Sequence, residues 1–331
     1  MFNLTNNFLF CNMIISIFIS ASTNNFIWMW FMMEVNSIMI IPIFMMKNSK
    51  INLNKIIKFF IIQALSSNLL ILTLISTKFL PLLNSKMTFF LLIIMSFKMG
   101  SAPFQTWALN FLSKMKWISF FMFTCIQKLI PLFMLVLFFK TNLIMILILF
   151  NSIFSTMGLK FYLTRSIMFF SSLNHLSWTL LAMMNSMKMT KLYFFIYSVM
   201  TLLICMILEK NKLNTIQNLM LKKTYKPYQN KSNDTPKIMF MFMSIPPFIT
   251  FMPKILIIMN LSLNFITLIL FMLMFNFLSF LFYLRFILIN FMNNYSIMKS
   301  KITFNQKKMT LNFISNLSLI LIPSFFLMKL I

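Results

Sequence analysis

Acidic residues are almost missing: the 331-residue chain has three, Glu34, Glu209 and Asp234, against 29 lysines and arginines. Charge of either sign is sparse, at 10% of residues, while 60% are hydrophobic. A soluble domain of this length needs a far more polar surface, so that class is excluded. Three cysteines, Cys11, Cys125 and Cys205, lie in separate apolar runs, with no CxxC spacing and no histidine nearby. They read as small buried hydrophobes, and neither a metal site nor a disulfide framework is expected. The two glycines cannot build a glycine-rich phosphate loop, so no nucleotide site is expected in the chain. The N-terminus carries no basic n-region and no Arg/Ser-rich presequence, so no cleavable targeting segment is expected.

Long apolar runs are what is present. About 20 apolar residues suffice to cross the roughly 30 Å hydrocarbon core as a helix, and eleven such runs can be marked: 7–22, 25–46, 56–77, 87–107, 117–139, 142–159, 166–185, 192–208, 238–259, 262–289 and 310–328. The expected fold is an all-α polytopic membrane protein of about eleven transmembrane helices, one membrane domain over residues 1–331. With 44 Phe and 35 Met, the composition fits A/T-rich codons with ATA read as methionine, as in an organelle genome. Abundant Met and Phe therefore read as lipid-facing filler and not as a cofactor box.

Basic residues sort by side. Nineteen fall in the loops on the N-terminal side and six on the other, an asymmetry that a missed span would scramble. By the positive-inside rule the N-terminus faces the matrix or cytoplasm and the C-terminus the outside. The formal net charge of +26 is spread over five short loops instead of one stripe. Topology and anionic lipid explain it, and no nucleic acid is expected.

Four basic residues remain, Lys98, Lys128, Lys254 and Arg285, and with Glu34 they lie at membrane depth. A charge at the bilayer centre costs about 2.5–3.5 kcal/mol on insertion scales, so each needs a partner, water or a snorkelling route. Arg285 is near the end of its span and can snorkel; Glu34, Lys98 and Lys128 are too deep. These three are candidate functional charges, the alternative being salt bridges that only fix helix packing. Lys98 is followed by "MGSAPFQTW", with Gly100 and Pro103, and Lys254 is preceded by "SIPPFITFMP", with Pro246, Pro247 and Pro253. Proline removes a backbone donor and clashes with the preceding turn, so both spans are expected to be broken. Broken backbone at this depth is tolerated where it lines protein or a hydrated cavity. The broken spans are the fourth and ninth. Interrupted helices at matching positions in two halves mark an inverted-repeat transporter, here two five-helix halves, 7–139 and 142–289, with a final helix at 310–328.

These charges sit in recognisable segments: "WFMMEVNSIMIIP" (with Trp30, Glu34, Asn36 and Pro42), "IKFFIIQALSS", "KMGSAPFQTW", "CIQKLIPL", "SSLNHLSW", "PPFITFMPK" and "FYLR". As an ordered set from about residue 28 to 286, they resemble chain 2 of NADH–ubiquinone oxidoreductase (respiratory complex I), an antiporter-like family whose animal members are also eleven-spanning. The resemblance implies a core membrane-arm subunit that contributes to proton translocation across the mitochondrial inner membrane. It implies a charged axis at Glu34, Lys98, Lys128 and Lys254, joined by water. It also implies that NADH, flavin, iron–sulfur clusters and ubiquinone belong to partner subunits, with no cofactor in this chain. Neighbouring antiporter-like and small membrane-arm subunits, and lipids including cardiolipin, are the expected partners. His175 falls on a family position, though alone it reads as a helix-packing histidine. Two positions depart from the pattern. Gln105 stands where the family usually has a titratable His, and Met32 replaces a usual Gly beside Glu34.

Burial disfavours a charged ammonium and a nearby carboxylate favours it, so a Glu34–Lys98 pair is expected to act as a switch. Paired, Lys98 holds its proton; unpaired, it releases it toward Lys128 and Lys254. Two rivals share these residues: a stand-alone cation/proton antiporter, and a non-pumping scaffold in the same complex.

Overall fold

A computed structural model describes residues 2–47, 53–79, 84–138, 142–210, 242–243, 248–261 and 265–299. The expected final span 310–328, Pro246 and Pro247 lie outside these residues. Regular structure among the described residues is helical, as bilayer physics requires of a chain that must satisfy its backbone groups internally. Seven described helices are long and apolar enough to cross a membrane. The chain divides into two compact units, Met1–Phe154 and Ser155–Ile331.

The first unit contains α1 (Phe2–Ser22), α2 (Phe26–Lys47), α3 (Leu53–Phe79), α4 (Asn84–Met99), α5 (Gln105–Leu112), α6 (Trp117–Phe121), a π-helical turn (Met122–Ile126), α7 (Gln127–Phe138) and α8 (Asn142–Ser155). Successive helices pack as neighbours from α1 to α4, and α7 packs against α1, α2 and α4. The tie from α2 to α3 is polar: Trp30 Nε1 donates to the Ser67 carbonyl at 3.1 Å. One end of the unit is held by rings. Phe59 stacks on Phe111 with centroids 4.8 Å apart and meets Phe44 at 5.7 Å and Phe123 at 6.2 Å in edge contacts, geometries worth about 0.5–1.5 kcal/mol each beyond area burial.

The second unit contains a 3-10 turn (Thr156–Lys160), α9 (Thr164–Asn185), α10 (Met187–Lys210), α11 (Met252–Asn260) and α12 (Ile266–Lys299). Its centre is α9, which packs against the 3-10 turn and the other three helices. Nearly every residue from Ser166 to Ala182 is buried, although this helix is rich in Ser, Thr and Asn. The other spans instead turn large apolar side chains outward, Phe18, Leu72, Phe195 and Phe277 among them. An apolar outer surface of this kind fits hydrocarbon as the solvent.

Candidate functional site

The fourth expected span is indeed two pieces. α4 stops at Met99, Gly100 takes φ +62°, and α5 restarts at Gln105. Only glycine adopts that φ without cost, and a Cβ there would lie 2.6 Å from the Cβ of Ala108. The backbone groups released by the break are met from elsewhere. Gln63 Nε2 donates to the Lys98 carbonyl at 3.1 Å, and the Ala102 N–H donates to Asn151 Oδ1 at 2.8 Å. The Ser101 N–H and Oγ both donate to the Ser96 carbonyl, at 3.0 and 3.1 Å. Lys55 Nζ binds the Asn110 carbonyl and Ser113 Oγ at the far end of α5. Pro103 and Phe104 complete the turn.

Lys98 sits at the lip of this break, 6% exposed, and its Nζ has no hydrogen-bond partner among the described residues. Glu34, half-buried on α2, is within electrostatic reach of it. Glu34 Oε2 is also without a hydrogen-bond partner. The two are thus close enough to interact electrostatically but share no direct hydrogen bond. Between α2, α3, α4 and α7 lies a cavity lined by Met33, Asn36, Ser37, Gln63, Lys98, Gln127, Ile130 and Pro131. It is polar and of the scale of a water molecule, the conditions under which water occupies a protein interior.

Lys128 is 1% exposed and is the second residue after the π-helical turn, with Gln127 between. The Gln127 N–H reaches back to the Met122 carbonyl, and Pro131 four residues on withdraws the amide that would bond the Gln127 carbonyl. The helix carrying Lys128 is therefore opened on both sides of it; π turns of this kind are frequent at functional sites.

In the second unit Lys254 is also 1% exposed. Its Nζ donates to Asn276 Oδ1 at 2.6 Å and lies 5.0 Å from the Trp178 ring centroid. Asn276 Oδ1 accepts as well from Asn174 Nδ2 at 3.3 Å, and that amide donates to Ser279 Oγ at 2.9 Å. One polar network thus joins α9, α11 and α12. Pro253 stands in the first turn of α11, where the missing N–H costs nothing. It starts a helix after the turn at 248–251, so among the described residues the expected ninth span is not one continuous helix. His175 Nδ1 is 3.0 Å from Tyr193 Oη, with Phe242 edge-on at 4.9 Å, so it joins α9 to α10. Arg285 does more than snorkel. It donates from Nη1 to the Leu159 carbonyl at 3.0 Å and from Nη2 to the Phe161 carbonyl, and its guanidinium lies 4.7 Å from the Tyr162 ring centroid.

Gln63, Gln127, Asn151, Asn174 and Asn276 were not singled out from sequence. In a chain full of asparagine the only available signal was depth: an amide in mid-span needs a reason, as a charge does. Gln105 and Met32 are buried, Gln105 Oε1 without a hydrogen-bond partner. Among the described residues no group of three or more His, Cys, Asp or Glu side chains is placed to hold a metal.

No protein-family model matches the chain. Curated proteins do. It is 30% identical to NADH-ubiquinone oxidoreductase chain 2 of Anopheles gambiae over 276 residues, 78% of this chain and 77% of that protein. It is also 30% identical to the protein of that name from Aedes aegypti, with 98% of each covered. Among solved structures, a chain of respiratory complex I from Thermus thermophilus superposes with a TM-score of 0.73 at 16% identity, covering 86% of this chain and 70% of that one. A chain of the membrane-bound sulfane sulfur reductase, an archaeal respiratory membrane complex, gives 0.74 at 11% identity, covering 97% and 73%. At those identities the structural likeness speaks for the fold.

Proposed function

Because the chain belongs to the NADH-ubiquinone oxidoreductase chain 2 family, we propose that it works as a membrane-arm subunit of respiratory complex I and carries part of the proton path across the mitochondrial inner membrane. The redox groups, from NADH and flavin to ubiquinone, belong to partner subunits in this reading, and the chain supplies a translocase element without a cofactor of its own. The halves 7–139 and 142–289 act as inverted repeats, with the N-terminus in the matrix, the C-terminus in the intermembrane space, and cardiolipin among the lipids at the basic loops. Glu34, Lys98, Lys128 and Lys254 carry the path.

One observation carries the reading: the buried Lys98 ammonium, at a break in its helix and beside a water-sized polar cavity, has the Glu34 carboxylate nearby yet no fixed bond to it. A structural salt bridge would be closed. This one is open, and its two charges can meet or separate. When they meet, Lys98 holds its proton. When they separate, the cavity takes the proton onward. Moving a charge across the membrane costs about 2.3 kcal/mol per 100 mV, a sum that rearranging a partly buried ion pair can supply once redox chemistry elsewhere forces the rearrangement.

The test is Glu34→Gln and Lys98→Met in the assembled complex, with proton translocation into sealed vesicles measured per NADH oxidised. Both substitutions should lower that ratio. An assembled variant that pumps as wild type, at wild-type electron transfer, sinks the switch.

A further inference from the structure

Three buried polar atoms on residues that line the cavity of the first unit have no hydrogen-bond partner among the described residues: Lys98 Nζ, a donor, and the acceptors Asn36 Oδ1 and Gln127 Oε1. Asn36, Lys98 and Gln127 line the cavity itself, with Ser37 and Gln63 beside them. Unpaired polar atoms inside a fold are expensive, about 1–3 kcal/mol each and more for charged groups. Three together, with donor and acceptors complementary and none bonded to another, describe a site for a small ligand that both donates and accepts. Water fits, since it needs two to four polar partners and one molecule's volume.

The backbone around Gln127 points the same way. A helical glutamine normally has its carbonyl bonded by the amide four residues on, and here that residue is Pro131, itself a wall of the cavity. Behind it lies the π turn. The helix is opened on both sides of the one residue whose side chain joins the Lys98 cavity and whose neighbour in sequence is Lys128.

We propose that Gln127 is a positioning residue that holds, with Asn36, a single water against Lys98. This rests on the proton-path reading above. A proton leaving Lys98 breaks an N–H bond and forms an O–H bond on the water, and the water releases a different proton to a further water or neutral amine along the path. Gln127 gains and loses no proton. Its amide fixes where the water stands.

Two measurements on the assembled complex decide it. A density map of the wild-type complex resolving ordered water should show one within hydrogen-bonding distance of both the Gln127 amide and Lys98 Nζ; a dry cavity, or a water bound to Lys98 and clear of Gln127, overturns the proposal. In vesicles, Gln127→Leu, which keeps the bulk but removes the polar atoms, should slow proton translocation on the order of tenfold, the effect of one lost buried hydrogen bond. Gln127→Asn, which keeps a neutral amide, should recover part of it. Equal rates in the Leu and Asn variants overturn the proposal. If Lys98→Met stops pumping while Gln127→Leu does not, only the positioning role fails; if Lys98→Met pumps normally, the proton-path reading fails first. Should neither Gln127 variant assemble, the wild-type map decides alone.

Discussion

The buried lysines Lys254 and Lys98 are held in opposite ways. Lys254 is gripped by a neutral amide at 2.6 Å and an aromatic face, whereas Lys98 is gripped only by its backbone, through Gln63. A neutral partner steadies an ammonium without cancelling its charge, while a carboxylate nearby can cancel it. The residue beneath this difference is Gly100, whose left-handed φ turns the chain away and leaves Lys98 at the lip. Gly100→Ala should cost about 1–2 kcal/mol for the conformation alone and more for the contact with Ala108. The expected outcome is a lower melting temperature of the detergent-solubilised complex, or less of it on native gels; wild-type stability would show that the break does not need glycine. The break was legible from sequence because Gly100 and Pro103 announce it through local backbone chemistry. The partner of Lys254 was not, since Asn276 lies 22 residues on and looks like any other asparagine of a chain rich in them.

At the scale of elements, each loose end is closed by a distant helix. Gln63 of α3 and Asn151 of α8 take up what the break between α4 and α5 releases. Arg285 of α12 does the same for the end of the 3-10 turn, with two carbonyls more than 120 residues away in sequence. No local pattern encodes such closures, so sequence placed Arg285 at the right depth but not against its partners. The geometry is that of a planar fork, which a lysine cannot copy. Arg285→Lys should therefore reduce thermal stability, by roughly 1–3 kcal/mol for buried carbonyls left unpaired, while protons moved per NADH in the surviving complex stay as in wild type. A changed ratio at unchanged stability would move Arg285 from scaffold to path. The π turn before Lys128 was likewise hidden, because "MFTCIQKLIP" carries only Pro131 as a local signal.

For the whole molecule, what decides behaviour is that large apolar side chains face outward on most spans while the polar residues of α9 are buried. A membrane-partitioning photoreactive carbene should label the outer face of α3, at Ile57, Phe60, Leu65, Leu69 and Leu72, wherever a partner subunit leaves it open, and should spare α9 between Ser166 and Ala182 in every state. Heavy labelling of α9 would contradict the packing. The hydropathy of the spans made this much readable in advance; which half-buried faces meet subunits instead of lipid is set by chains not encoded here. The bond from Gln63 to the Lys98 carbonyl then has a mechanical meaning. α3 shows one face outward and holds the pivot of the Lys98 arm on the other. A push on α3 is handed to that pivot, while the ammonium at its tip holds no hydrogen bond among the described residues. Force on α3 thus has a route to the cavity wall.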